Sequence, residues 1–359
     1  MKSQTVKMPS AIQTIRFIIF AGLILLFTFF MTSCGSKNTN ISLGMQQIQE
    51  LQYQEALNSF EKAEELGENE KLIYRGRGIA YMGLTEYKKA VENLLQALSY
   101  SNGWVEDVDY DINLYLAAAY TKDGKFTEAE KVYDAIIMMR PSDDDSLFLR
   151  GNVRLRQGNY IGAKEDFDQV VKLDSKNFDR MIEIFEVLDN YGYKDAGQGY
   201  LTDALQTYEN EMSQYDKGRM YYYMGDYQKA YLALEEAKTK QGVEAYLYLG
   251  KAYEATGDYN YASSVYNSYL AKNAGDARIY NQLGICEMQK EQYVKALDAF
   301  QKGLELGDKS VLQSLQFNEI VAYEHMGEFQ KATVLLESYL KNYPDDEKAK
   351  REYEFLSTR

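Results

Sequence analysis

Apolar residues along this chain of 359 residues fall into two regimes. From Phe17 to Met31 they form one run with no charged residue. Beyond Ile41 they recur at helical spacing. An alanine returns as Ala56, Ala90, Ala129, Ala163, Ala196, Ala230, Ala262, Ala296 and Ala332, at intervals of 32 to 39 residues. Three residues before each stands an aromatic (Tyr53, Tyr87, Phe126, Tyr160, Tyr193, Tyr227, Tyr259, Tyr293, Phe329). Four residues after each stands a large side chain (Phe60, Leu94, Tyr133, Phe167, Tyr200, Leu234, Tyr266, Phe300, Leu336). Positions spaced this way share one face of a helix, so each set predicts one amphipathic helix. Twelve residues before the alanine a second helix is marked by Gly44, Gly78, Ala117, Gly151, Gly218, Gly250 and Gly284, with Ile184 and Ile320 in the fifth and ninth copies. Turn residues separate the two, as in Gly158-Asn159-Tyr160, Gly225-Asp226-Tyr227 and Gly257-Asp258-Tyr259.

A pair of helices of about 12 to 14 residues cannot bury its stripe alone, so successive pairs stack and share a core. The small residues mark where the helices cross closely, and the aromatics fill the space around the crossing. This pattern resembles the tetratricopeptide repeat, a helix–turn–helix of 34 residues, over about residues 41 to 343. The resemblance implies an all-α fold: a right-handed superhelical solenoid of about nine repeats. Pro344-Asp345-Asp346 then predicts the start of a capping helix over 344–359, with proline and acids in its first turn. Only three prolines interrupt the chain, as an all-helical fold requires.

The resemblance also implies a binding surface. In this family the first helix of each pair lines a concave face that holds an extended peptide or a partner's helix. The lining slots lie 18, 15, 11 and 8 residues before the alanine. They hold Phe148, Asn152, Phe178, Met181, Phe185, Met212, Tyr215, Arg219 and Tyr222, then Leu247, Lys251, Arg278, Asn281 and Met288. The aromatics are expected to bury a partner's side chains, and Arg219, Lys251 and Arg278 to take carboxylates. The lysine-and-asparagine clamp of chaperone-binding members is not matched at its slots.

The formal net charge of −14 sets the chain against nucleic acid and anionic lipid, so attachment to a membrane needs a hydrophobic device. The N-terminus offers one. Lys2, Lys7 and Arg16 precede the apolar run, which is short for a membrane span and suits a signal-peptide core. Met31-Thr32-Ser33-Cys34-Gly35 follows and resembles the lipobox of bacterial lipoproteins, with Met31 where leucine is more usual. The resemblance implies cleavage after residue 33, acylation of Cys34 and a tether over 34–40 reaching about 20 Å. The expected location is the extracytoplasmic envelope: the outer membrane in a Gram-negative cell, the outer face of the cytoplasmic membrane in a Gram-positive one.

Other residues carry less chemistry. Cys286 sits where other copies place Ala80, Ala119 and Ala252, which predicts packing. One histidine, His325, and no second cysteine nearby leave no zinc cluster or nucleophile pair to assemble. Asp107, Asp109 and Asp111 alternate as in a calcium loop but lack its glycine, so they are read as opening a helix, with Trp104 packed on its end or, alternatively, exposed as a contact point. Asp143, Asp144 and Asp145 suit a helix N-terminus. The sequence thus predicts no cofactor, no metal and no catalytic cluster. It predicts a scaffold for protein or peptide partners, the alternative being capture of extracellular peptides or glycans for a transporter.

Overall fold

A computed structural model describes residues 38–358, and among these nineteen α-helices and no strand are formed. Eighteen helices fall into nine sequential pairs. Those before the fifth pair are α1 (Thr39–Gln49) with α2 (Tyr53–Glu65), α3 (Glu70–Gly83) with α4 (Tyr87–Ser99), α5 (Asp107–Lys122) with α6 (Phe126–Met139), and α7 (Asp144–Arg156) with α8 (Tyr160–Leu173). The fifth is α9 (Phe178–Asn190) with α10 (Lys194–Tyr208). Then come α11 (Gln214–Met224) with α12 (Tyr227–Gln241), α13 (Val243–Ala255) with α14 (Tyr259–Leu270), α15 (Ala277–Gln289) with α16 (Tyr293–Glu305), and α17 (Leu312–His325) with α18 (Phe329–Asn342). The cap is α19 (Glu347–Leu356), with Asp346 as N-cap and Pro344 outside the helix rather than in its first turn. Ala349 and Leu356 bury one face of α19 against α18.

The chain divides into two compact units, one ending at Gly197 and one starting at Gln198. In the first, the first helices of neighbouring pairs touch from α1 to α5; in the second they do so from α11 to α17. The core of each unit is the repeated stripe. Outside the fifth pair, all eight repeat alanines are wholly buried, as are Phe60, Leu94, Phe167, Leu234, Tyr266, Phe300 and Leu336. A Cβ added at Gly44, Gly78, Gly151, Gly218, Gly250 or Gly284 would lie within 3.0 Å of the large side chain of its own pair, from Phe60 to Phe300 in order. Glycine there makes room for that side chain. In the ninth pair Ile320 takes the glycine's place opposite Leu336, and both are buried.

The fifth pair corrects the sequence register by one residue. Ala196 is half-exposed, whereas Gly197 is buried and its amide donates to the Tyr193 carbonyl as the repeat alanines donate to the residue four before them. The structural triplet is therefore Lys194, Gly197 and Leu201, with Leu201 wholly buried. Phe185 occupies the glycine slot of α9, and a Cβ on Gly197 would come 3.1 Å from its Cα. The glycine thus stands on the second helix, in the alanine slot, and the first-helix slot holds a large ring. The true marker of register is the turn. Five residues before each small residue the backbone is left-handed at all nine positions, with φ between 59° and 82°: Leu51, Thr85, Gly124, Gly158, Gly192, Gly225, Gly257, Glu291 and Gly327.

Candidate binding site on the first-helix faces

In the unit that ends at Gly197, the predicted lining residues are mostly core. Phe148, Met181 and Phe185 are buried, while Asn152 and Phe178 are half-buried. Phe148 packs against Phe167 at 5.8 Å and carries the Arg180 guanidinium 4.6 Å above its ring. The register shift explains α9. Counted from Gly197, the lining slots hold Asp179, Ile182, Glu186 and Asp189, not Phe178, Met181 and Phe185. Phe185 turns to the crossing with α10, and the side of α9 it was expected to face bears carboxylates. Only the left-handed Gly192, one residue closer to Ala196 than its counterparts are to their alanines, signals this in the sequence.

The unit that starts at Gln198 carries a tyrosine-rich face. Tyr215, Tyr222 and Tyr223 on α11 meet Tyr248 on α13 at centroid separations of 6.0, 5.8 and 6.2 Å, and the Tyr223 and Tyr248 hydroxyls lie 3.3 Å apart. Arg219, buried, lies 4.5 Å from the Tyr215 ring and 5.9 Å from the Tyr248 ring, and its Nη2 donates to Asp216 at 2.8 Å. Arg278 sits in the first turn of α15. It donates to Asp276 at 2.8 Å and to Glu244, from the equivalent slot of the preceding pair, at 2.6 Å. Those two carboxylates outweigh the cost of its burial and raise its pKa. Two of the three cations predicted to receive a partner's carboxylates are thus engaged by carboxylates of the chain itself. The half-buried Lys251 is held by a ring, its ammonium 5.3 Å from the Tyr248 centroid. Met212, Leu247 and Asn281 are buried, and Asn281 accepts from Asn318 at 2.9 Å. Met288 is half-buried.

The links between pairs form a polar ladder that the slot pattern does not show. In the first unit, both carboxylate oxygens of Glu68 accept from the start of α1, through the amides of Asn40 and Ile41 at 3.0 Å each and the Asn40 side chain at 2.8 Å. Lys71 pairs with Glu106 at 3.2 Å and Asp109 at 2.7 Å, Arg140 with Asp107 at 2.8 Å, and Arg180 with Asp145. Burial works against the charge on Lys71, but Asp109 and Glu106 outweigh it and its pKa rises. Deeper in this unit, Asp166 is buried between Arg150 at 2.5 Å and Arg154 at 3.0 Å. These partners lie 12 to 38 residues apart in the chain, so no local motif announces them.

The remaining sequence expectations divide. The acids at 107–111 do open a helix, with Asp109 accepting from the Glu106 amide at 3.0 Å, and Asp143 caps α7. Trp104 does not pack on that helix end. It is 80% exposed, and its amide donates to Asn102 within the loop. The start of α5 is closed by its own carboxylates. Cys286 is wholly buried, and burial together with the neighbouring Glu254 carboxylate pushes its thiol far above the ordinary range. His325 is exposed and stacks on Tyr293 at 5.1 Å. Among the described residues no group of three or more potential ligands could hold a metal, and no helix is long and apolar enough to cross a membrane. Cys34 and the apolar run before it lie outside the described residues.

Comparison with known proteins agrees with this architecture. Profiles described as tetratricopeptide repeat match residues 75–146, 144–177, 215–276, 249–311 and 316–346, together more than half of the chain. The peroxisomal targeting signal receptor of Saccharomyces cerevisiae is 22% identical over 227 residues, which is 60% of this chain and 37% of the receptor. The chain spans about a third of the length of the curated relatives it matches. Among solved structures, yeast Tom70 superposes with a TM-score of 0.50 at 15% identity, covering 89% of this chain and 87% of that one, a likeness of fold. A tetratricopeptide repeat protein from Parabacteroides merdae gives a TM-score of 0.43 at 16% identity, covering 78% and 97%. The paired helices, the recurring crossing slots and the matched repeats lead to one conclusion: the chain belongs to the tetratricopeptide-repeat family.

Proposed function

We propose that the protein is a lipid-anchored scaffold of the bacterial cell envelope, held to a membrane by acylated Cys34 and binding a peptide or partner helix along its first-helix face. The observation that carries the binding part is the face built by Tyr215, Tyr222 and Tyr248 with Lys251. All four are half-buried, so each ring is fixed by its neighbours yet keeps part of its surface for a partner. Preset aromatic rings lose little rotamer freedom when a ligand covers them. With Arg219 and Arg278 already paired, specificity comes from the rings and Lys251 rather than from a row of cations. The anchor part rests on Met31-Thr32-Ser33-Cys34-Gly35 directly after the apolar run.

Photo-crosslinking side chains placed at Tyr222 and Tyr248 should trap an envelope protein in intact cells. The same group at Tyr261, exposed on the second helix α14, should trap none of it. Equal labelling from Tyr261, or none from Tyr222 and Tyr248, counts against the face. For the anchor, mass spectrometry of the N-terminal peptide should find acyl chains on Cys34, and the Cys34→Ala chain should keep its leader.

A further inference from the structure

We infer that the loop tip Trp104–Val105 is a second membrane contact: it seats in the headgroup region of the bilayer that anchors Cys34, and so fixes which edge of the first unit faces the lipid. This rests on the proposed acylation of Cys34. The argument begins with topology. In an antiparallel pair the start of the first helix and the end of the second lie at the same edge, together with the link to the next pair. The structure shows this directly. The start of α1 is hydrogen-bonded to Glu68 in the first link, Lys71 just beyond that link is bonded to Glu106 and Asp109 beside the second, and Arg140 of the third reaches Asp107. Asn38, the residue before α1, therefore shares an edge with Trp104.

That edge carries exposed apolar side chains among polar ones such as Glu65, Asn69, Glu70, Asn102 and Glu106. Trp104 is 80% exposed and Val105 64%, the first link adds Leu66 at 72%, and the last turn of α6 adds Met138 at 79%. Only Gly35, Ser36 and Lys37 separate Cys34 from Asn38, and four residue steps can span at most about 14 Å. Trp104 is two pairs along. At about 10 Å per packed helix layer, it lies on the order of 20 Å from the tether. A chain held this closely by one end can lay the same edge on the lipid. An indole suits the site, because its ring enters the apolar boundary while its N–H stays with the headgroups. The acidic character of the chain selects the surface. Glu106 and Asp107 flank the tip, so it should favour zwitterionic over anionic headgroups.

Trp104 is the only tryptophan, so the whole indole emission reports on this tip. The test uses the lipidated protein purified from membranes and reconstituted on phosphatidylcholine vesicles, with flotation and fluorescence read in the same sample. The inference expects co-flotation, an emission shift to the blue on binding, and quenching by bromine on the lipid acyl chains near the headgroup. Val105→Asp should reduce the quenching at least twofold without loss of flotation. In a Trp104→Phe, Ile161→Trp double variant the indole moves to the opposite edge, at the start of α8, and should not be quenched. Flotation with unquenched, solvent-like emission overturns the tip contact and leaves the anchor standing. A blue shift without quenching by lipid bromine assigns the tip to a protein surface and also overturns it. Absence of both acyl mass and flotation overturns the tip contact together with the anchor on which it rests.

Discussion

At residue scale the repeat is governed by two slots that exclude most side chains. One is the crossing slot, where glycine faces a ring or leucine of its own pair. The other is the left-handed turn five residues before each small residue. Six of the nine turn positions are glycine, and Leu51, Thr85 and Glu291 are not. A non-glycine residue in that region costs about 1–2 kcal/mol, partly offset by the lower chain entropy it brings to the unfolded state. Thr85 and Glu291 are exposed, so replacing them removes no core contact. Thr85→Gly and Glu291→Gly should each stabilise the fold by about 0.5–1 kcal/mol, read as a higher midpoint in urea. Gly158→Ala should do the reverse. The left-handed slot was legible at Gly158, Gly225 and Gly257, where the dipeptide announces a turn. It was not legible at Leu51 or Glu291, whose residue types carry no such signal.

At the scale of the element, the start of α1 depends on a residue outside that helix. Asn38 makes no side-chain cap to α1, and Glu68 supplies the missing acceptors from the link after α2. Burial alone would raise the Glu68 pKa. The hydrogen bonds from Asn40 and Ile41 outweigh it and hold the pKa below the usual carboxylate value. A carboxylate depressed in the folded state stabilises fully above its unfolded pKa of about 4.3 and loses that contribution as the pH falls through the lower folded value. Hydrogen exchange in α1 should therefore accelerate below about pH 4 more than in α3. Glu68→Gln should flatten that acid dependence and, at neutral pH, cost about 1 kcal/mol in the first pair, the usual worth of an N-terminal cap. The sequence showed α1 and its stripe clearly. It could not show the cap, because residue types 28 positions apart imply no contact until the pair has folded.

At the scale of the molecule, an array that contacts only near neighbours is stable or labile piece by piece. The fifth pair is where the pattern loosens: its register shifts by a residue, Phe185 fills the first-helix glycine slot while Gly197 fills the alanine slot, and the division between the two compact units falls within α10. Gly197→Val would press methyl groups on the Phe185 backbone, an overpacking worth about 1–3 kcal/mol. Amide exchange in α9 and α10 should then speed up by about tenfold or more, with α1 to α4 and α16 to α19 unchanged. A uniform acceleration along the chain would contradict the piecewise reading.

The sequence by itself determined the helices, their pairing and, outside the fifth pair, the repeated stripe of the core. Each follows from a local period: three or four residues set the stripe, and about 34 set the stack, so composition and spacing suffice. It also determined that Cys286 packs and that acids begin α5 and α7, because small size and helix-end charge are local properties. Only the tertiary structure decided what the cations do. Arg219 and Arg278 had the spacing of ligand contacts, but carboxylates from their own and neighbouring pairs reach them first, and charge cannot be left buried without a partner. It likewise decided that Phe185 faces a helix crossing and that Trp104 faces outward. Both depend on how closely two backbones approach, a distance that no spacing of residues along the chain records.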